Sequence, residues 1–224
     1  MSEENTSRGS TAQDREDRIT AHIERHLGPS GKVLRESGPD ASGIAVHHVA
    51  SAATRPIHTL ITSGMSSLPM AVPENVESPR YLELMITLPG SWKLDDQSLQ
   101  NPQWAWPLRQ LQYLASYPRR FSTWLGWGHT VPNGEPPEPF ASNTKLCGSI
   151  IVPSLLVPTD FYELKGGAPT IAFYSVVPLY REEMELKARE GMESLLAKMV
   201  DRGITDLVDP KRRNIAVKKR FGLF

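Results

Sequence analysis

Residues 170–180 read TIAFYSVVPLY, a nearly continuous apolar run that passes directly into the charged stretch REEMELKAREGMESLLAKMVDRG (181–203). A strand with one wet face must alternate, so an unbroken run predicts a central strand covered on both faces. The stretch that follows changes period. Met184, Ala188, Met192, Leu195, Leu196 and Met199 recur every three to four residues, and Gly203 marks a stop, which together predict a long helix. A buried strand joined to an amphipathic helix calls for a sheet with helices packed on it.

The rest of the chain fills in that plan. IAVHHVA (44–50), PIHTLITSGM (56–65) and RYLELMITLP (80–89) are β-branched and apolar segments bounded by Pro, Gly and Ser. In the last, Leu82, Leu84, Ile86 and Leu88 alternate with Tyr81, Glu83, Met85 and Thr87, which predicts a half-buried strand. KLCGSIIVP (145–153) is a further strand. Ile19, Ile23 and Leu27 share one helix face, closed by Gly28-Pro29. Leu108, Leu111, Leu114 and Ala115 share another, with Pro107 expected in the first turn and Pro118 at the end. No repeat of 20–50 residues is visible, which excludes a solenoid or propeller. Strands grouped rather than strictly alternating with helices predict an α+β fold, a mixed sheet flanked by helices. Residues 1–13 are polar and expected to be disordered. Residues 14–224 are expected to form one domain.

Charge and cysteine usage then narrow the function. With 25 basic and 25 acidic residues the net charge is zero, which argues against a nucleic-acid binder and gives no pull toward an anionic membrane. Cys147 is the one cysteine, so neither an intramolecular disulfide nor a thiolate metal cluster can form. The polar start MSEENTSRGSTAQDREDR has no signal-peptide core, and no run reaches a membrane span. A cytoplasmic protein is expected.

Candidate chemistry is thin. Gly64-Met65-Ser66 follows a strand, yet a nucleophile elbow needs G-x-S-x-G leading into a helix, and here Ser67, Leu68 and Pro69 follow. His22 and His26 have the i, i+4 spacing of zinc helices, but Glu24 is one position from the general-base place, and wet-face histidines are commonplace. DPKRRNIAVKKR (209–220) is basic without interleaved aromatics and is expected to be solvated or docked on this protein's own carboxylates. WLGWGHTVPNG (124–134) is the densest cluster of unusual residues. Its glycines at 126, 128 and 134 are expected to give backbone room to Trp124 and Trp127, and Pro132-Asn133-Gly134 to form a turn.

These segments, in this order, resemble the suppressor of fused (SUFU) domain of the bacterial type. The resemblance is carried by HTLITSGMSSLPMAVP, RYLELMITLP, WPLRQLQYLASYP, WLGWGHTVPNG, FASNTKLCGSIIVP, IAFYSVVPLYREEMELK and GMESLLAKMVDRGITDLVDPKRRN, across roughly residues 45–214. It implies a single SUFU-like lobe that binds a protein partner and catalyses nothing. Similar animal domains form one lobe of a cytoplasmic regulator that clamps a peptide as an added strand. The acidic residue used there has no counterpart in residues 146–159. Bacterial members are thought of as immunity proteins, so the partner class implied is a toxin domain. Aromatic side chains in loops carry much interface energy, and Trp124, Trp127 and His129, with Asp160, Phe161 and Tyr162, are the expected partner-binding residues. No cofactor or metal is expected. The alternative is a small-molecule or metal-dependent enzyme that uses His129 with His47 or His48.

Overall fold

The computed structural model describes residues 3–35, 43–167 and 169–217, with the backbone alone for residues 3–12. Eight strands form one mixed sheet. In chain order they are β1 (Ser30–Arg35), β2 (Ala45–Val49), β3 (Ile57–Ser63), β4 (Leu82–Pro89), β5 (Thr130–Pro132), β6 (Gly148–Val152), β7 (Glu163–Leu164) and β8 (Ile171–Leu179). The spatial order is β1-β2-β3-β4-β8-β6-β5, with β7 also on β8. Only β4 and β8 run parallel, Leu82 opposite Ala172 and Met85 opposite Ser175. A parallel pair needs a long crossover. Here it runs through α2 (Pro102–Arg120), β5, β6 and β7. The remaining helices are α1 (Glu3–Leu27) and α3 (Arg181–Asp201).

The sheet is the middle of three layers. Leu82, Leu84, Ile86 and Leu88 of β4 point to the α2 side and pack with Trp106, Leu111 and Leu114. Met85 of β4 and Phe173 of β8 point the other way, to Ile19, Ile23 and Leu27 of α1. Val177 and Leu179, further along β8, meet Leu186, Leu195 and Met199 of α3. All of β8 except Tyr174 is buried, as the unbroken apolar run requires.

Three sequence expectations are corrected. β4 is buried on both faces from Leu82 to Leu88, because α1 covers the side that alternation marked as wet, and Glu83 is itself fully buried. Pro107 lies inside α2, whose first turn instead holds Pro102 behind an Asn101 cap that accepts from the Gln103 amide. A proline there leaves the carbonyl four residues back without its helical donor. The Asn143 side chain donates to that Gln103 carbonyl at 3.3 Å. α1 spans Glu3–Leu27. Ala12, Gln13, Arg15 and Glu16 are good helix formers, and extending an existing helix costs little once it is nucleated. Finally, α3 is not one continuous rod, since Gly191 takes φ 86 and ψ 171 and kinks it.

Candidate functional site

Three loops gather at the end of the sheet where β8 starts and β3 and β6 finish. They are residues 64–73 after β3, 121–129 between α2 and β5, and 153–162 between β6 and β7. The first two are tied by the Ala71 amide donating to the Thr123 carbonyl, 3.3 Å. The second is tied to β6 by Gly128 N–H on Ile151 O (2.7 Å) and Ile151 N–H on His129 O (3.0 Å). Four large apolar side chains stand exposed on these loops: Leu68 (58%), Phe121 (50%), Trp127 (53%) and Leu155 (68%). Single exposed apolar residues are ordinary, and these four stand on loops at the same end of the sheet.

Buried carboxylates fix these loops from beneath. Glu83 is fully buried and accepts from Thr62 Oγ1 (2.6 Å), the Gly64 amide (3.0 Å), the Ser66 amide (2.9 Å) and Ser66 Oγ (2.6 Å). Gly64 takes φ +110, and a Cβ there would stand 2.7 Å from the Gly43 carbonyl oxygen, so glycine is required for the turn to reach the carboxylate. Burial pushes the Glu83 carboxyl up from its ordinary range, and the bonds from Ser66 and Thr62 pull it partway back. The Ser66 hydroxyl is therefore committed to donating a hydrogen bond to a buried carboxylate and is itself fully buried, and it sits in a single 3-10 turn, Met65–Ser67. This is a pinned turn, not a nucleophile elbow. On the far side, Asp206 accepts from Ser154 Oγ (2.6 Å), the Leu155 amide (2.9 Å) and Ser175 Oγ (3.0 Å), which fixes the loop that carries Leu155.

The expected residues divide between these surroundings. Trp124 is half-buried against the α2-side core, its ring 4.1 Å from that of His129. Gly126 makes room for it: a Cβ there would stand 2.6 Å from Trp124 Cζ3. Trp127 is the exposed ring of the pair. Asp160 is exposed, and Tyr162 is half-buried with its hydroxyl donating to the Ser154 carbonyl. Both line an open groove of about 590 Å³ against α1, together with His26 and Tyr174. Phe161 is corrected. It is fully buried, its ring 4.9 Å from that of His22 and 4.8 Å from that of Phe173, so it belongs to the core. Sequence reasoning missed Leu68 and Leu155, which lie in short apolar stretches with nothing to separate a wet position from a dry one, and Phe121, a lone ring between Arg120 and Ser122.

The histidines do not assemble into a centre. His129 adjoins β5 and His47 and His48 lie on β2, five ladder steps away, which at about 4.8 Å per step is roughly 24 Å. His47 Nε2 faces Ser63 Oγ at 2.9 Å and Nδ1 faces Ser30 Oγ at 3.2 Å, while His48 Nε2 meets His58 Nδ1 at 3.0 Å. Burial lowers the pKa of His47, His48 and His129 alike, and His58 lowers His48 further. His22, expected on a wet face, is buried with Nε2 3.0 Å from the Phe161 carbonyl. Among the described residues no group of three or more His, Cys, Asp or Glu is placed to hold a metal ion. Among them, too, no helix is long and apolar enough to cross a membrane.

A single mixed sheet between two helical layers, with a rim of apolar loops over buried acids, defines an α+β fold without an assembled catalytic constellation among the described residues. The family model of the suppressor of fused protein (SUFU) matches residues 40–213, and the chain belongs to that family. No curated relative matches it by sequence. Among solved structures it is similar to a SUFU homolog from Neisseria gonorrhoeae, with TM-score 0.66 and 15% identity over 92% of this chain and 99% of that one. It is similar also to a chain of the Sufu-Fu complex, with TM-score 0.59 and 15% identity over 91% of each chain. Drosophila Suppressor of Fused matches with TM-score 0.53 and 14% identity over 89% of this chain and 50% of that one. At these identities the likeness establishes the fold.

Proposed function

We propose that this chain is a stoichiometric protein-binding module that works without catalysis and contacts its partner through the loop rim. The observation that carries the reading is the grouping of Leu68, Phe121, Trp127 and Leu155 on loops held from below by Glu83 and Asp206. Loops fixed in advance lose little freedom on binding, which leaves more of the contact energy as affinity. A relative of this fold is solved in a Sufu-Fu complex, which supports a protein as the ligand class. Trp127 is the central anchor, with His129 and Trp124 behind it and Asp160 and Tyr162 on the α1 side.

Strand addition at a sheet edge has less room. β1 carries Lys32 and Arg35, charges of the kind that guard edges, and β5 is three residues ending in Pro132. A toxin domain is the finer partner assignment, with the chain acting as its cytoplasmic immunity protein. The test is co-expression with the product of the adjacent reading frame, followed by co-purification of the wild type and of Trp127→Ala/Leu155→Ala. A stoichiometric complex that the double variant loses, while melting unchanged, supports the reading. A complex indifferent to both substitutions contradicts the rim, and rescue of growth from that product's toxicity is the outcome the immunity role requires.

A further inference from the structure

The rim continues along the outer face of α2, and that continuation has a definite chemistry. Tyr113, Tyr117 and Phe121 recur every four residues, with ring centroids 5.8 Å and 4.5 Å apart in succession, so they form one aromatic stripe on one helix face. Tyr113 is 37% and Phe121 50% exposed. Arginines stand at both ends. Arg109 is one turn before Tyr113 and exposed, and the Arg120 guanidinium carbon lies 5.6 Å from the Phe121 ring centre. Arg119 carries the stripe across to the β3 loop, donating to Ser67 Oγ at 2.6 Å beside exposed Leu68. Neither Arg109 nor Arg120 has an ion pair among the described residues.

Charge along the chain sharpens the pattern. Acidic and basic residues are equal in number over the whole sequence, yet no carboxylate occurs between Asp96 and Glu135, a stretch that contains all of α2 and the tryptophan loop. Residues 64–73 contain none either. The helix and the two loops at its end are therefore aromatic and cationic and carry no carboxylate of their own. Two arginines in the last turn also complement the helix dipole, but that accounts for neither Arg109 nor the exposed rings.

We infer that the outer face of α2, from Arg109 to Phe121, docks an acidic protein segment that places aliphatic or aromatic side chains against Tyr113, Tyr117 and Phe121 and carboxylates at Arg109 and Arg120. Arginine pairs with carboxylates bidentately and stacks on rings, which suits it to both ends of such a stripe. A single-stranded nucleic acid would also meet rings and arginines, but its affinity grows with the number of phosphates neutralised, and this protein has no net positive charge to offer.

The inference rests on the protein-binding reading above, and one experiment separates their failures. The full chain is immobilised and used to select from a random 16-residue peptide library, and separately titrated with a labelled dT12 oligonucleotide. The expected result is enrichment of peptides rich in Asp or Glu with apolar residues between them. Arg109→Glu/Arg120→Glu should weaken their affinity at least tenfold, and 0.5 M salt should do the same. Tyr113→Ala, at the exposed ring of the stripe, should weaken it several-fold with the melting curve unchanged, and Lys165→Glu, far from the stripe, should leave it unaltered. Peptides that enrich without an acidic bias, or that ignore the arginine substitutions but are lost in Trp127→Ala, would overturn the α2 inference and leave the rim standing. Binding of dT12 in preference to any peptide would overturn it in favour of nucleic acid. Failure of the folded chain to enrich any peptide would count against both readings.

Discussion

At the residue scale, the tryptophan loop combines two roles in neighbouring positions. Gly126 is spaced so tightly against Trp124 and Ser78 Oγ (2.7 Å from an added Cβ) that any side chain must displace the ring. Gly126→Ala should cost about 1–3 kcal/mol by overpacking, read as a lower urea midpoint with altered tryptophan emission. Trp127→Ala should move stability by no more than about 0.5 kcal/mol, because that ring already stands in water. Equal losses in the two variants would contradict this division. The glycines were legible as backbone room, but which ring was wet was not, since both tryptophans have the same local composition. Phe161 misled for the same reason: a loop position next to exposed Asp160 carries no sign that α1 closes over it.

At the element scale, the fold was most legible where one physical pattern dominated. The unbroken run of β8 and the helical stripes of α1 and α2 depend on burial periodicity alone. β1, β5 and β7 escaped because they are polar or two to three residues long, too short for a period to show. β4 was read as half-buried because Glu83 marks a wet face unless four donors elsewhere in the chain satisfy it, and those donors lie at the end of β3 (Thr62) and in the turn that follows it (Gly64 and Ser66). The basic tail was half legible. Arg212, 8% exposed at its side chain, forms a bidentate pair with fully buried Glu183, Nη1 to Oε1 at 2.6 Å. Glu183 also accepts from the Tyr180 and Ile215 amides, so one carboxylate joins the start of α3 to the segment after it. Arg212→Ala strands that buried charge and should cost about 3–5 kcal/mol, measured by urea unfolding. A loss below about 1 kcal/mol would show that the pair contributes little to docking the segment.

At the scale of the whole molecule, protonation sets a direction for stability. Burial lowers the pKa of His22, His47, His48, His58 and His129. The unfolded chain then takes up these protons first, near pH 6.5, so stability falls as pH drops below about 7 through the lowered folded values. Glu83 acts with the opposite sign. Its raised pKa makes its contribution greatest at low pH and diminishing as pH rises. Because the histidines outnumber it, the urea midpoint at pH 5.5 should lie below that at pH 7.5. A midpoint that rises on acidification would contradict the buried neutral histidines.

A preformed rim of loops, backed by buried carboxylates, is proposed as the surface that meets a protein partner. Amide hydrogen exchange of the chain alone and bound to a co-purified partner tests it most directly. In the free chain, the Gly64, Ser66 and Leu155 amides should already exchange slowly, since each donates to a buried carboxylate. On binding, further protection should concentrate in residues 64–68, 121–128 and 153–157. Protection confined to the β1 edge or to residues 204–217, with the rim unchanged, would contradict the account.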